Sequence, residues 1–209
     1  MTVTGPQLGR PVGADAEQTR ARIVAATMRC VATVGYARAT IREIARTANV
    51  TSASLYNYFP NKSELMKAAV AARTDIAVPR LRRAAAQPDD AIARLEAVLD
   101  ESGRLMREYP DLAAFEWVIR AENAITADAA GAGGFQAFRE IIDGIVEDAF
   151  REGGLAGSAH RSGVAEAVYA LIYGLTELAA TLAPEDYHAA LASARQLVRG
   201  TLFAPASRA

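Results

Sequence analysis

The residues best placed to do chemistry lie in one stretch, TIREIARTANVTSASLYNYFPNK, from Thr40 to Lys62. Near its middle four consecutive side chains are small or polar: Thr51, Ser52, Ala53 and Ser54. Such side chains at the exposed N-terminal end of a helix let that end press closely against another surface. The stretch therefore predicts a contact surface.

Two short helices joined by a turn would hold this surface. Thr40 and Glu43 form a capping box at the start of the first helix. Asn49 lies in the connection that follows, and Asn is among the few residues other than Gly that tolerate a left-handed backbone. Thr51 or Ser52 can cap the second helix, and the apolar residues at helical spacing are Ile41, Ile44, Ala45, Ala48, Leu55 and Phe59. The pattern predicts a helix-turn-helix.

Catalytic groups are scarce by comparison. His160 and His188 are the two histidines, neither lies near a nucleophile motif such as GxSxG, and no cluster of His, Cys or acidic residues has metal-ligand spacing. The single cysteine, Cys30, excludes an intramolecular disulfide and fits a reducing compartment. We therefore expect no enzyme, no cofactor and no metal, and a cytoplasmic location because no signal peptide is evident.

The Thr40–Lys62 stretch and its flanks closely resemble the DNA-binding signature of TetR-type transcriptional regulators. The resemblance covers about the first third of the chain. Asn49 and Ala53 depart from it, since glycine is common in the family at both places. The matching residues are Thr40, Ile44, Ala45, Val50, Leu55, Tyr56, Phe59, Lys62, Glu64 and Leu65.

The resemblance implies a role for each residue of the contact surface. Phosphate-binding side chains, which fix register without reading sequence, would be Thr40, Tyr56, Tyr58 and Lys62. Side chains facing base edges in the major groove would be Arg42, Ser52, Ala53, Ser54 and Asn57, with Thr51 in the same contact set. Arg42 is the strongest candidate for base readout, because its guanidinium can grip guanine O6 and N7.

The charge of the chain is unevenly distributed. The net charge is -1, but residues 17–86 hold twelve Lys and Arg against four Asp and Glu, whereas residues 87–209 hold ten against nineteen. A basic first part favours a polyanion as partner, and an acidic second part would be repelled from it.

These observations predict an all-α protein with a larger second domain. We expect a disordered arm at 1–16, a helix-turn-helix DNA-binding domain at 17–60, a connecting helix at 61–86 and a helical ligand-binding and dimerisation domain at 87–209. Within the connecting helix Pro79 should end or kink the pattern at Val78. Lys62 opposes the dipole of that helix, so it needs another partner, for which phosphate is the obvious candidate.

Prolines and glycines divide the remaining chain into five predicted helices. Helices should begin near Pro88, Pro110 and Pro184, each followed by acidic residues. The cluster Gly131 to Gly134 should break the chain before another helix. Since it lacks the GxGxxG order and no strand precedes it, we expect a flexible loop rather than a phosphate site.

The segment from Val164 to Ala183 is apolar nearly all round. Glu166 and Glu177 make a membrane crossing costly, so burial on two sides is the better interpretation. We expect a homodimer in which this helix and the Ala-rich last helix, together about 160–204, form a four-helix interface.

Two hypotheses remain for the second domain. In the first, a small apolar effector molecule binds between its helices and releases a repressor from a palindromic operator in double-stranded DNA; the residues proposed to contact it are Met106, Tyr109, Phe115, Trp117, Ile119, Phe138 and Tyr173. Glu116, Arg120 and Glu122 would supply polar contacts or face water. In the second, the protein is a structural or interaction dimer without an inducer, which binds DNA constitutively or not at all.

Overall fold

The described part of the chain is built from α-helices alone. A computed structural model describes residues 12–87, 90–121, 129–154 and 160–203. The helices in these ranges are α1 Val12–Arg38, α2 Ile41–Thr47, α3 Ser52–Tyr58, α4 Lys62–Ala86, α5 Ala91–Glu108, α6 Pro110–Ala121, α7 Ala129–Arg151, α8 Arg161–Thr181 and α9 Pro184–Arg199. The all-α prediction is confirmed.

α1 begins at Val12, inside the stretch 1–16 that was expected to be a disordered arm. Alanines in its first turns favour the helix, and Asp15 complements the positive end of the helix dipole. Residues 1–11 of the predicted arm lie outside the described residues. Gly35 interrupts the helix with φ 79°, a left-handed value that glycine adopts without steric penalty.

α4 runs unbroken from Lys62 to Ala86 and contains Pro79. The side chain of Asn61 accepts a hydrogen bond from the Glu64 amide at 2.8 Å and caps the helix. The helix does not end at Val78, because Val78, Leu81 and other residues on both sides of Pro79 are buried. Packing on both sides outweighs the helix-breaking effect of one proline.

The later helices begin mostly where the prolines indicated. α6 starts at Pro110 and α9 at Pro184. α5 starts at Ala91, capped by Asp90, whose carboxylate accepts from the Ala93 amide at 2.8 Å, while Pro88 and Asp89 lie outside the described residues.

The predicted break at Gly131 to Gly134 is wrong, because α7 continues through it from Ala129. Glycine disfavours a helix by about 1 kcal/mol per residue relative to alanine, but it keeps its N–H donor and does not block the helix as proline does.

The helices pack around two clusters of buried side chains. The first joins α1, α2, α3 and the N-terminal part of α4, and α6 adds Phe115 and Ile119 to it. The second joins the C-terminal part of α4 to α5, α7, α8 and α9, and α6 adds Leu112 to it. α4 and α6 are thus shared by both clusters.

α8 is less buried than expected from its composition. Ala165, Ile172 and Leu175 are buried, but most of its other apolar side chains are half-buried or exposed. By length and composition α8 would be able to cross a membrane. One such helix is weak evidence for a span, and α8 packs against α6, α7 and α9. Burial of α8 is incomplete in the single chain, and its burial against a second copy stays a prediction.

Candidate functional site

The first helix of the predicted contact surface is fixed at its start and along one face. The Thr40 hydroxyl accepts a hydrogen bond from the Glu43 amide at 3.2 Å and caps α2. Ile44 and Ala45 are buried in the first cluster. Arg42 lies on the solvent-exposed side, where its side chain has no ion-pair partner among the described residues. The fold thus leaves the Arg42 guanidinium available for an external acceptor.

The turn after α2 has the geometry that the sequence indicated. Asn49 has φ 55°, a left-handed value. The Val50 amide donates to the carbonyl of Ala45 at 2.9 Å, and the Asn49 amide donates to that of Arg46 at 3.1 Å. These bonds satisfy carbonyls at the end of α2, and the turn sets the direction in which α3 leaves.

α3 presents its small and polar residues outward. The Thr51 hydroxyl caps it by accepting from the Ser54 amide at 3.0 Å. Leu55 is fully buried and Phe59 nearly so, which anchors the opposite face. The predicted contact residues on this helix are exposed or half-buried: Ser52, Ala53, Ser54, Tyr56, Asn57 and Tyr58. Tyr58 also packs against the first cluster. The structure brings these side chains together at one surface.

Lys62 has a partner inside the chain. Its ammonium donates to the Tyr36 carbonyl and lies 4.1 Å from the centroid of the Tyr36 ring. This cation–π contact helps to offset the unfavourable position of a cation at a helix N-terminus. The prediction that Lys62 requires another partner is therefore met by Tyr36, and its phosphate contact stays a prediction.

A small cavity lies in the second cluster and is lined by residues of α4, α5, α6, α7, α8 and α9. Its volume is about 80 Å³. Three of the residues proposed to contact a ligand line it: Met106, Phe138 and Tyr173. Most of the other lining residues are aliphatic, and Ser102, Thr176 and Tyr187 add hydroxyl groups. Burial raises the pKa of the Tyr187 phenol, while the nearby positive Arg107 acts in the opposite direction, so this phenol is a neutral hydrogen-bond donor.

The cavity wall also contains an ion pair. Arg73 of α4 and Glu116 of α6 form a salt bridge, and each side chain is only 8% exposed. Both residues line the cavity. Glu116 was one of the polar residues singled out in the sequence; Arg120 and Glu122 have no described side chains.

Four residues proposed to contact a ligand lie elsewhere. Phe115 and Ile119 belong to the first cluster, because they lie on the face of α6 that packs against α1, whereas Leu112 and Glu116 face the cavity. Tyr109 lies at the end of α5, 37% exposed, beside a groove along α1. Trp117 packs with its ring centroid 6.1 Å from that of Tyr173 but does not line the cavity itself.

Arg73 and Tyr187 were missed by the sequence reasoning. Arg73 interrupts a series of small or apolar residues spaced four apart on α4, namely Ala69, Ala77 and Leu81. A charged residue in such a series indicates a buried polar contact and would have been the available clue. No comparable pattern marks Tyr187.

Metal coordination finds no support in the described residues, which contain no group of three or more His, Cys, Asp or Glu side chains that could hold an ion. His188 lies with its Nε2 3.1 Å from an Arg107 guanidinium nitrogen. Cys30 is buried, with its sulfur 3.4 Å from the Thr47 hydroxyl.

Comparison of the sequence with known proteins finds relatives of this chain. Residues 23–69 match the model of the family described as bacterial regulatory proteins, tetR family. The transcriptional regulator SrpR of Pseudomonas putida is 38% identical over 66 residues, which are 32% of this chain and 31% of SrpR. The transcriptional repressor KstR of Mycobacterium tuberculosis is 31% identical over 146 residues, which are 68% of this chain and 63% of KstR.

The fold is also found among solved structures. The regulator FadR of Bacillus subtilis, determined in complex with stearoyl-CoA, superposes with a TM-score of 0.73 at 17% identity, over 88% of this chain and 99% of FadR. At this identity the similarity concerns the fold alone.

Proposed function

The chain belongs to the TetR family of bacterial regulatory proteins, and we propose that it is a cytoplasmic repressor that binds a palindromic operator as a homodimer. The observation that carries this proposal is the outward face of α3. Its caps, its buried Leu55 and the left-handed turn at Asn49 hold a row of small and polar side chains at the surface. A helix of this kind fits the major groove of B-DNA.

The proposed contacts divide by chemistry. Arg42 and the N-terminal residues of α3 would meet base edges, whereas Thr40, Tyr56, Tyr58 and Lys62 would meet phosphates. Tyr56 is 51% exposed, as a phosphate-binding phenol requires. Thr40 and Thr51 use their hydroxyls as caps, and a capping hydroxyl keeps its own proton to donate to phosphate.

We propose that residues 17–60 form the DNA-binding domain, 61–86 the connecting helix, and 87–209 the ligand-binding and dimerisation domain. The separate buried clusters support a division of this kind. Phe115 and Ile119 of α6 pack with the first cluster, so the two domains share an interface.

We further propose that α8 and α9, within about 160–204, form the dimer interface. α8 leaves most of its apolar residues incompletely buried in the single chain, and Leu182 and Leu197 are 40% and 47% exposed. A second copy would cover this surface, and two-fold symmetry would match a palindromic operator.

The cavity supports response to a small, largely apolar ligand. A ligand between α4 and α6 would act on the two helices that also enter the first cluster. Ligand binding would release DNA by favouring a dimer conformation in which the two α3 helices no longer match successive major grooves, about 34 to 36 Å apart.

The small size of the cavity favours a second candidate, a dimer that keeps the fold without an inducer. At about 80 Å³ the cavity is well below the 300 to 1,000 Å³ usual for ligand pockets. This candidate predicts DNA binding that no small molecule relieves.

Selection of bound duplexes from a random library, at about 0.15 M salt to weaken nonspecific phosphate binding, tests the proposal. We expect an enriched inverted repeat. Tyr56→Ala and Lys62→Ala should weaken binding to it with unchanged helicity, whereas the control Arg151→Ala, at an exposed arginine of α7, should not. No enrichment by a folded dimer would refute operator recognition.

A further inference from the structure

The cavity wall carries one positive and one negative side chain, and this arrangement constrains what can bind. We propose that the cavity selects an electrically neutral lipophile that carries a hydroxyl, ketone or ester group. This inference rests on the ligand response proposed above. It would discriminate against a free carboxylate and against an ammonium ion of the same length.

The argument begins with the Arg73–Glu116 salt bridge. Both side chains are more than nine-tenths buried, so each has lost most of its contact with water and depends on the other for stabilisation. The remaining described lining residues are apolar or carry hydroxyl groups. The cavity is therefore electrically balanced before a ligand arrives.

A charged ligand would disturb this balance. A carboxylate entering the cavity would compete with Glu116 for Arg73 and leave one of two buried anions without a counterion. An ammonium ion would compete with Arg73 for Glu116 in the same way. Breaking a buried pair is strongly unfavourable, so a charged ligand should bind about 10-fold or more weakly than its neutral analogue.

A neutral polar group meets suitable partners without breaking the pair. The Tyr187 phenol is a buried, neutral donor, and the Ser102 hydroxyl can donate or accept. The Thr176 hydroxyl donates to the Ile172 carbonyl at 3.0 Å, which leaves its oxygen free to accept. These hydroxyls suit a ligand alcohol or carbonyl oxygen.

The volume of the cavity adds a condition on shape. A cavity of about 150 Å³ holds one benzene molecule, and this cavity is about 80 Å³. The ligand must displace half-buried side chains as it enters, and the large ones in the wall are Met106, Phe138 and Tyr173. A slim alkyl chain needs less displacement than a ring system.

A matched ligand series at pH 7 tests the inference on the full-length protein: 1-decanol, methyl decanoate, decanoate and decylammonium. The single tryptophan, Trp117, lies beside Tyr173 of the cavity wall and reports binding by its fluorescence, with thermal shift as a second readout. We expect the two neutral compounds to bind about 10-fold or more tightly than the two ions.

Charge-removing variants sharpen the test. Glu116→Gln leaves Arg73 without its anion and should make decanoate the preferred ligand, whereas Arg73→Gln should make decylammonium preferred. The double variant Arg73→Met/Glu116→Leu removes both charges, which proteins often tolerate well, and it should keep the preference for neutral compounds.

The outcomes separate the two proposals. Equal binding of ions and neutral compounds by the unaltered protein, or no change of preference in the single variants, would overturn the neutral-ligand inference alone. Binding of none of the four compounds would overturn this inference and count against the ligand response, while operator selection would still test DNA recognition.

Discussion

Substituting Phe115 by alanine should destabilise the protein without altering the ligand cavity. Phe115 is fully buried in the first cluster, on the face of α6 that packs against α1, and it does not line the cavity. Its ring therefore stabilises the junction between the DNA-binding helices and the rest of the molecule. Removing it leaves a void at that junction.

The magnitude follows from complete burial. Truncation of a buried phenylalanine to alanine typically lowers the free energy of unfolding by about 3 to 5 kcal/mol. Because 1 kcal/mol shifts Tm by about 2 to 4 °C for a chain of this length, the expected loss is about 6 to 20 °C. Phe150 is 55% exposed, and Phe150→Ala should change the free energy of unfolding by no more than about 0.5 kcal/mol.

Thermal unfolding followed by circular dichroism, at one fixed protein concentration, compares the two variants. Binding of a neutral decyl compound to Phe115→Ala, measured below its Tm, should remain within about threefold of the unaltered protein, a shift well under 1 kcal/mol. A variant with unchanged Tm and strongly weakened ligand binding would refute the reasoning and place Phe115 in the ligand site.

Three further predictions concern the turn after α2, the DNA contact proposed for Arg42 and the polar network between α4 and α5. Asn49→Ala should lower the free energy of unfolding by about 1 kcal/mol because φ is left-handed, whereas Asn49→Gly should not; equal Tm values would contradict this. Arg42→Ala should relax base preference at one operator position by about 1 to 3 kcal/mol in competition assays, and uniform weakening across all sequences would instead make it a phosphate contact. Burial alone would raise the pKa of Glu101, but hydrogen bonds from Arg80 and Arg104 leave it below its ordinary value. Its contribution to stability is therefore present above the unfolded-state pKa and lost as pH falls through the folded-state pKa, so Glu101→Gln should show a shallower acid-induced loss of Tm, and an unchanged slope would contradict this.

Interactions between residues close in sequence made α2, α3 and the turn between them predictable. The caps at Thr40, Thr51 and Asn61 and the turn at Asn49 each depend on residues within four positions of one another. Such interactions can be recognised from spacing alone. The starts of α6 and α9 were predictable for the same reason, because the preference for proline at the first helical position depends only on the local backbone.

The cavity was harder to predict because it depends on contacts between distant segments. α6 is apolar on two faces, and spacing cannot tell that Phe115 and Ile119 face the first cluster while Leu112 faces the second. Helix propensity also failed at Gly131 to Gly134, where the helix continues despite unfavourable residues. The extent of α8 followed from its composition, but its incomplete burial did not.

Pro79 gives α4 an uneven resistance to bending. Elsewhere each turn is tied to the next by a backbone hydrogen bond, but Pro79 has no N–H to donate to the Asp75 carbonyl. Both residues are exposed, so water can reach that carbonyl. A displacement of α4 at Leu81, on the far side of Pro79 from Lys62, would therefore be absorbed partly as bending near Asp75–Pro79 before it reaches Lys62. Replacing Pro79 by alanine would restore the missing N–H donor and make α4 stiffer at this point.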